Sequence, residues 1–526
     1  MPAKTDKVIL TNLGALKAKY GSAGLKSIRS AVDDLIAADK QRGLETVVIA
    51  LDDPATMKKF GSTHVSDPAS SKQNKEAVDG VYKRLAPDYI LLLGSTDIIP
   101  HQDLQNPLYD PSTSGDPDKI AYGDLPYACE AAYSQKPHDF FGPTRVVGRL
   151  PDLTGGKDPA YVIGLLKTAQ SFKSAAVGQY DQHFGISAQI WDKSTTLSLT
   201  QTFGRGNSPK DVPPNNDQWP VSFLAGMSHF INCHGASVSS QFYGQPSNGK
   251  PQYPVALDAA YVNGKIAEGT VAAAECCYGG QLYDPALLKG QQGICNTYLA
   301  NKAYGFFAST TIAYGPSDSN AEADLICQYF LQSVLRGASL GRATLEARQN
   351  FVRAASPPDP SDVKTLAQFN LYGDPSITPI QIPSPAADLV ASESVKFASM
   401  LNGERVERVD RRKSLFRSGL SLAATEPRPR RLKTKPRPAV RKGLHNKARE
   451  LGITPSAILV FDVIQPIEGV RLMLKTFRSR RAPRDRFYVV FGETEREHSL
   501  PVVKVVALIA KESGGELVSV SKVESR

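Results

Sequence analysis

Two short apolar runs constrain this chain more than any other feature, because each ends at once in a reactive side chain and a glycine. The run SHFINC at 228–233 leads into His234, Gly235 and Ala236. The run TVAAAECC at 270–277 leads into Tyr278, Gly279 and Gly280. Small and β-branched residues stopped by glycine suit buried strands that end in tight loops. As parallel neighbours, the two strands would bring their C-terminal ends to one edge of a sheet, where open α/β sheets hold their sites. His234 and a thiol would then share a crevice, and a thiol needs such a neighbour to act as a nucleophile. The backbone N–H groups of Gly235 and Cys277 are candidates to hold a developing oxyanion. Successive side chains in a strand point to opposite faces, so only one of Cys276 and Cys277 can face the crevice. Cys277, at the strand tip, is the expected nucleophile, and Cys276 is expected to pack against the helix layer.

The rest of the first 380 residues alternates strand and helix. Apolar runs at 7–11, 46–51 and 89–93 read as continuous buried strands, separated by helical spacing at 24–40 and 75–85. That alternation argues for a parallel sheet covered by helices on both faces. Helices are expected again at 161–172, 197–203, 324–336 and 340–353, and strands at 186–191 and 305–312. The loop-rich stretch 100–141 follows a strand end and is placed to wall a substrate cleft. His229, inside its strand, and Cys129, Cys233, Cys295 and Cys327 are read as structural.

Further runs in chain order carry a family likeness. They are YILLLG at 89–94 with IIP at 98–100, AYGDLPY at 121–127, VVGRLP at 146–151, FASTT at 307–311 and QFNLYGDPS at 368–376. With the His234 and Cys277 runs, the series resembles the caspase-like clan of cysteine peptidases, most closely the gingipain family, over roughly residues 5–382. The alignment puts Cys277 on the nucleophile turn. The resemblance implies a cysteine endopeptidase with a His234–Cys277 dyad whose imidazole and thiol need not touch in the free enzyme. It also implies acceptance of Arg or Lys before the cleaved bond, which needs a carboxylate in the first pocket. Asp192 and Asp217 are the candidates, with no register to choose between them. Tyr314 falls where the family places an aromatic pocket wall.

Charge separates the remainder of the chain. Residues 402–450 hold 16 Lys and Arg against 5 Asp and Glu, a net of +11, while the whole chain carries +10. Everything outside that segment is therefore close to neutral. Prolines at 427, 429, 436 and 438 exclude a stable helix or central strand in its centre. Beyond it, 457–463, 486–491 and 516–521 read as strands and 502–511 as a helix. The expected organisation is a peptidase domain at 1–382, a basic linker at 383–453 and a small C-terminal α/β module at 454–526. Arg-Arg pairs at 411–412 and 430–431 would be natural self-cleavage points for a peptidase with a basic preference.

No cysteine–histidine spacing resembles a zinc motif, and no glycine-rich phosphate loop opens a helix, so neither metal nor cofactor is expected. There is no run of about 18 apolar residues, hence no expected membrane span. Six scattered cysteines and an N-terminus without a long apolar core point to a reducing, cytoplasmic setting. Expected partners are a protein or peptide substrate and a regulatory partner through the C-terminal module, with nucleic acid reachable only through the basic linker. Two alternatives stand beside the peptidase: a catalytically silent caspase-like scaffold, and a polyanion-binding protein acting through 402–450.

Overall fold

The computed structural model describes residues 5–113, 115–381, 393–464, 485–492 and 501–526, with the side chains of 393–405 left aside. Ten strands form the central sheet. In chain order the first four are β1 (Lys7–Thr11), β2 (Thr46–Ala50), β3 (Tyr89–Leu93) and β4 (Val147–Leu150). They are followed by β5 (His183–Ala188), β6 (Lys210–Val212), β7 (Ser228–Asn232), β8 (Val271–Ala274) and β9 (Gly305–Ser309). The two-residue β10 (Tyr314–Gly315) lies outside this sheet, and β11 (Phe369–Tyr372) completes it.

The strand order is β2-β1-β3-β4-β11-β9-β8-β7-β5-β6. Every neighbouring pair is parallel except β9 with β11. Two parallel halves therefore meet at one antiparallel seam. In the second half β7 and β8 are direct neighbours, with Ser228 opposite Val271 and Ile231 opposite Ala274. Both strands are buried along their whole length, β8 as an unbroken apolar run and β7 with Ser228, His229 and Asn232 as buried polar members.

Most sequence-derived elements lie within a few residues of their expected places. Helices span Leu13–Gln41, Ser71–Leu85, Ala160–Ser171, Asp192–Phe203, Glu322–Leu335 and Leu340–Ala354. The strand expected at 186–191 stops at Ala188, and Gln189–Trp191 turns as a 3-10 helix instead. A helix at Pro360–Gln368 was not anticipated; Asp359 caps it by accepting from the N–H groups of Ser361 and Asp362.

The basic segment is not a free tether over its described part. Its boundary near 382 lies outside the described residues, but a helix runs from Glu393 to Thr425 and packs on Leu340–Ala354. Arg412 pairs with Asp88, and Gln349 donates to the Leu415 carbonyl. After it, β12 (Arg428–Leu432) is an edge strand, the one sheet position that tolerates Pro429. A helix at Pro438–Glu450 follows. Four further strands, β13 (Pro455–Ile464), β14 (Arg486–Gly492), β15 (Val506–Ser513) and β16 (Glu516–Ser525), build an antiparallel sheet. Its order is β10-β16-β15-β14-β13-β12. The stretch read as a helix at 502–511 is therefore strand β15. It is an inner strand buried on both faces, and such a run shows no period-two pattern to the eye.

Both faces of this second sheet are covered. Val460, Tyr488, Val490, Leu508 and Ala510 pack under Val440, Leu444 and Ala448 of the Pro438–Glu450 helix. The alternate residues, among them Phe461, Phe487, Val489, Phe491 and Ile509, form one cluster with Leu108, Cys277, Ile312 and Tyr314. An antiparallel sheet commonly leaves one face to water. Here that face lies over the C-terminal edge of β8. Among the described residues, no helix is long and apolar enough to cross a membrane.

Candidate active site

His234 and Cys277 come from neighbouring strand ends. Past β7, His234 and Gly235 form a two-residue strand antiparallel to Gln241–Tyr243, which fixes the imidazole. Past β8, the chain turns sharply at Tyr278, whose φ of +57° is costly for a residue with a side chain. That turn is held by Tyr278 N–H on the Thr311 carbonyl and Gly280 N–H on the Ser309 carbonyl. The two strand ends touch: a Cβ on Gly235 would overlap the Cys277 carbonyl, so only glycine fits there.

The adjacent cysteines face different surroundings. Cys276 lies in the main core, its Sγ 3.9 Å from the Ile231 carbonyl. Cys277 is in the cluster beneath the second sheet, its Sγ 3.6 Å from the Ala313 carbonyl. Burial pushes the Cys277 thiol up to about 12 and drives His234 down to about 3. Both groups are therefore neutral across ordinary pH in this arrangement.

Gln245 sets the orientation of the imidazole, a role for which sequence offered no candidate. Its Nε2 donates to the carbonyls of Gly249 and Lys250, so its Oε1 can only accept. His234 Nε2, 2.8 Å away, must carry the proton, which leaves Nδ1 unprotonated. The ring also packs on Trp191, with centroids 4.3 Å apart, and edge-on against Tyr253.

A main-chain oxygen occupies the space between the strand ends. The Arg526 oxygen accepts from the N–H groups of Cys277, at 3.1 Å, and Gly235, at 3.3 Å. Its own N–H donates to the Ala313 carbonyl, and Ser525 and Glu524 pair antiparallel with Tyr314 and Gly315 of β10. The Arg526 side chain is wholly buried. Its Nη2 lies 2.5 Å from Asp324 Oδ2 and 2.8 Å from the Pro316 carbonyl, and its Nε is 3.9 Å from Glu275. The guanidinium carbon lies 4.4 Å from the centroid of the Trp191 ring. Gly315 is required beside it, because a Cβ there would fall 2.5 Å from Asp324 Oδ2 and 2.6 Å from Arg526 Nε.

No family model and no curated protein matches this chain. Fourteen solved chains match it, two of them as follows. One, described as a protease, spans 100% of this chain and 98% of its own at 10% identity and a TM-score of 0.44. The other, a complex of Saccharomyces cerevisiae separase with securin, shares 12% identity at a TM-score of 0.28. It covers 45% of this chain, which spans only 14% of that one. Neither likeness bears on chemistry.

The carboxylates beside the guanidinium are those of Asp324 and Glu275, not the candidates from sequence. Asp192 starts the helix Asp192–Phe203 and accepts from Thr196, while Asp217 lies half-buried in the loop before Trp219. Burial raises both the Glu275 and the Asp324 carboxyl, and the Asp324 charge raises Glu275 further, whereas Arg526 opposes the rise in each and the hydrogen bond with Glu275 also lowers Asp324. Asn232, at the end of β7, donates to Asp324 Oδ1 at 3.2 Å. Glu275 carried a signal in the sequence, as a lone carboxylate inside a buried apolar run. Asp324 carried none, because its helix is joined to the site only by folding.

Tyr314 contributes to the cleft through its backbone in β10, while its hydroxyl donates to Asp116 at 2.9 Å. Lys364 reaches both Asp116 and Asp118, and Tyr278 donates to Asp118 at 2.7 Å. The loop 106–119 is thereby tied to the turn after Cys277. His229 is held by Tyr298 and the Gly226 carbonyl within the core. Among the described residues, Glu322, Asp359 and Asp362 form an acidic cluster with ligand atoms within 4.8 Å of one another, a grouping invisible in the sequence. Two of its members already serve the helix cap at Pro360–Gln368.

Proposed function

We propose that this chain is a cysteine endopeptidase that cleaves after arginine, using Cys277 as nucleophile and His234 as acid and base. The observation that carries the reading is the Arg526 main-chain oxygen, seated between the N–H groups of Gly235 and Cys277. Two convergent backbone donors at a nucleophile's strand end are the arrangement that stabilises a tetrahedral oxyanion. In a bound substrate, the Cys277 thiol loses its proton to His234 Nδ1 and Sγ bonds to the carbonyl carbon. The carbonyl oxygen takes the negative charge between the two N–H groups. The imidazolium then protonates the leaving amine, the C–N bond breaks, and a thioester remains. Water, deprotonated by His234, attacks that thioester, and its collapse releases the carboxylic acid and restores the thiol.

The first pocket suits arginine better than lysine. Asp324 and the Pro316 carbonyl meet one guanidinium nitrogen, and the planar group lies over Trp191. An ammonium offers no plane to stack and stops short of the carboxylates. β10 would receive the residues before the cleaved bond as an added antiparallel strand. Self-processing in the basic segment belongs to this reading only after rearrangement, since 411–412 lies in a helix and 430–431 in a paired strand. Six free thiols fit a reducing setting such as the cytoplasm.

The test is hydrolysis of fluorogenic Arg, Lys and Asp peptides under reducing conditions. It uses the chain, its Arg526→Glu variant to empty the pocket, and each of these with Cys277→Ala. Arg-peptide hydrolysis that disappears with Cys277→Ala is expected. Equal hydrolysis with and without the thiol would eliminate the dyad.

A further inference from the structure

We infer that the chain's own segment 523–526 is the intramolecular occupant of the substrate cleft, so that the C-terminal sheet holds the site shut until it is displaced by an arginine-containing peptide. The inference rests on the peptidase reading for its function, though not for its geometry.

Three independent observations meet in this segment. The first is the backbone. Ser525 and Glu524 extend β10 as an antiparallel strand, Arg526 N–H donates to Ala313, and the Arg526 main-chain oxygen fills the oxyanion position. A peptide substrate entering by strand addition would need these same groups. The second is the side chain. Arg526 is 1% exposed in a pocket lined by Asp324, Glu275 and Trp191. A buried cation is retained only where paired, so the pocket and this residue are chemically matched.

The third is the body that carries the segment. β16 is locked into its sheet by β15, with Ser525 N–H on the Val505 carbonyl and Val505 N–H on Ser525 Oγ at 2.8 Å. The same sheet lays Phe461, Phe487, Val489 and Phe491 over Cys277, Ile312 and Tyr314. A Cβ on Gly115 of the cleft-wall loop would press on the Phe491 ring, and Arg431 of β12 pairs with Asp110 of that loop. The segment is thus presented by a folded surface, and its ordering is prepaid by the sheet. Occupancy also explains the neutral dyad. With water excluded, burial favours the thiol over the thiolate and the imidazole over the imidazolium.

The experiment measures alkylation of each cysteine by iodoacetamide, read by peptide mass spectrometry, on the full chain and its Arg526→Glu variant. Glutamate facing Asp324 and Glu275 should leave the pocket. Cys277 is expected to react faster by on the order of tenfold or more, while buried Cys129 and Cys295 keep their wild-type rates and report an intact fold. Equal Cys277 rates in the two chains, with Cys129 unchanged, overturn the inference. If all cysteines of the variant accelerate, the unmodified chain decides. Addition of a tripeptide arginine aldehyde should raise amide hydrogen exchange at 523–526, and unchanged exchange overturns the inference. The two readings separate cleanly. Faster alkylation without hydrolysis of any Arg peptide keeps the occupant and removes the peptidase. Hydrolysis equally fast in wild type and variant keeps the peptidase and removes the occupant.

Discussion

In the proposed peptidase, arginine selection turns on Asp324, and its neutralisation gives a bounded prediction. In Asp324→Asn, measured beside Arg526→Glu so that the pocket is open, the side-chain shape is kept and only the charge is lost. Oδ2 lies 2.5 Å from the guanidinium and the pair is fully buried. Removing one partner of such a pair typically costs about 3–5 kcal/mol. Glu275 limits the damage. Its carboxyl is held well above the usual range by burial first and by Asp324 second. With position 324 neutral it ionises more readily, 3.9 Å from Nε. The net loss should be about 2–3 kcal/mol, or about 30- to 150-fold in kcat/KM for an Arg peptide. A citrulline peptide has nearly the same shape without charge and should change by less than about threefold. Adding Glu275→Gln should deepen the loss for the Arg peptide alone. The reasoning fails if Arg-peptide kcat/KM stays within about threefold of its parent, or if citrulline falls in parallel.

Exchange of the neighbouring thiols should give opposite outcomes: Cys277→Ala abolishes hydrolysis, whereas Cys276→Ala keeps it and costs about 1 kcal/mol in chemical denaturation for the lost core contact. Gln245→Ala should lower kcat by about 10- to 100-fold with little change in KM, because the imidazole loses its tautomer lock and not a substrate contact; a rise in KM alone would contradict that role. His229, driven down to about 4 by burial, is neutral in the fold but takes a proton in the unfolded chain below about pH 6.5. Stability should therefore fall between pH 6.5 and 4, by up to about 3 kcal/mol from this residue. Thermal unfolding from pH 8 to 4 should show a flatter acid limb in His229→Gln, and identical limbs would refute the assignment.

The strand ends were legible because they are local. An apolar run stopped by His234-Gly235, and another stopped by Cys277 before Tyr278-Gly279-Gly280, fix which backbone N–H groups stand near which side chains. Strand neighbourhood was the one assumption, and β7 and β8 are parallel neighbours. The pocket was not legible, since Asp324 and Trp191 reach it from helices whose own patterns record only packing. Gln245 follows a turn and looks like any loop amide until its three partners are known. In β15, burial on both faces removed the alternation that separates strand from helix. The basic segment misled through composition: Arg408, Arg412, Arg431 and Arg437 are spent on carbonyls and carboxylates of the fold. A net charge of +11 therefore overstates what is free to meet a polyanion.

The second sheet, buried on both sides, has a consequence for whatever follows opening. Lifting it from Cys277 would uncover Phe461, Phe487, Val489 and Phe491 as one aromatic face, and would leave β10 as a bare strand edge. Both surfaces are adhesive in water. An awakened molecule would thus be conspicuous to its neighbours, and its lifetime in that state would be set by how quickly a client peptide, or its own lid, covers the exposed faces again.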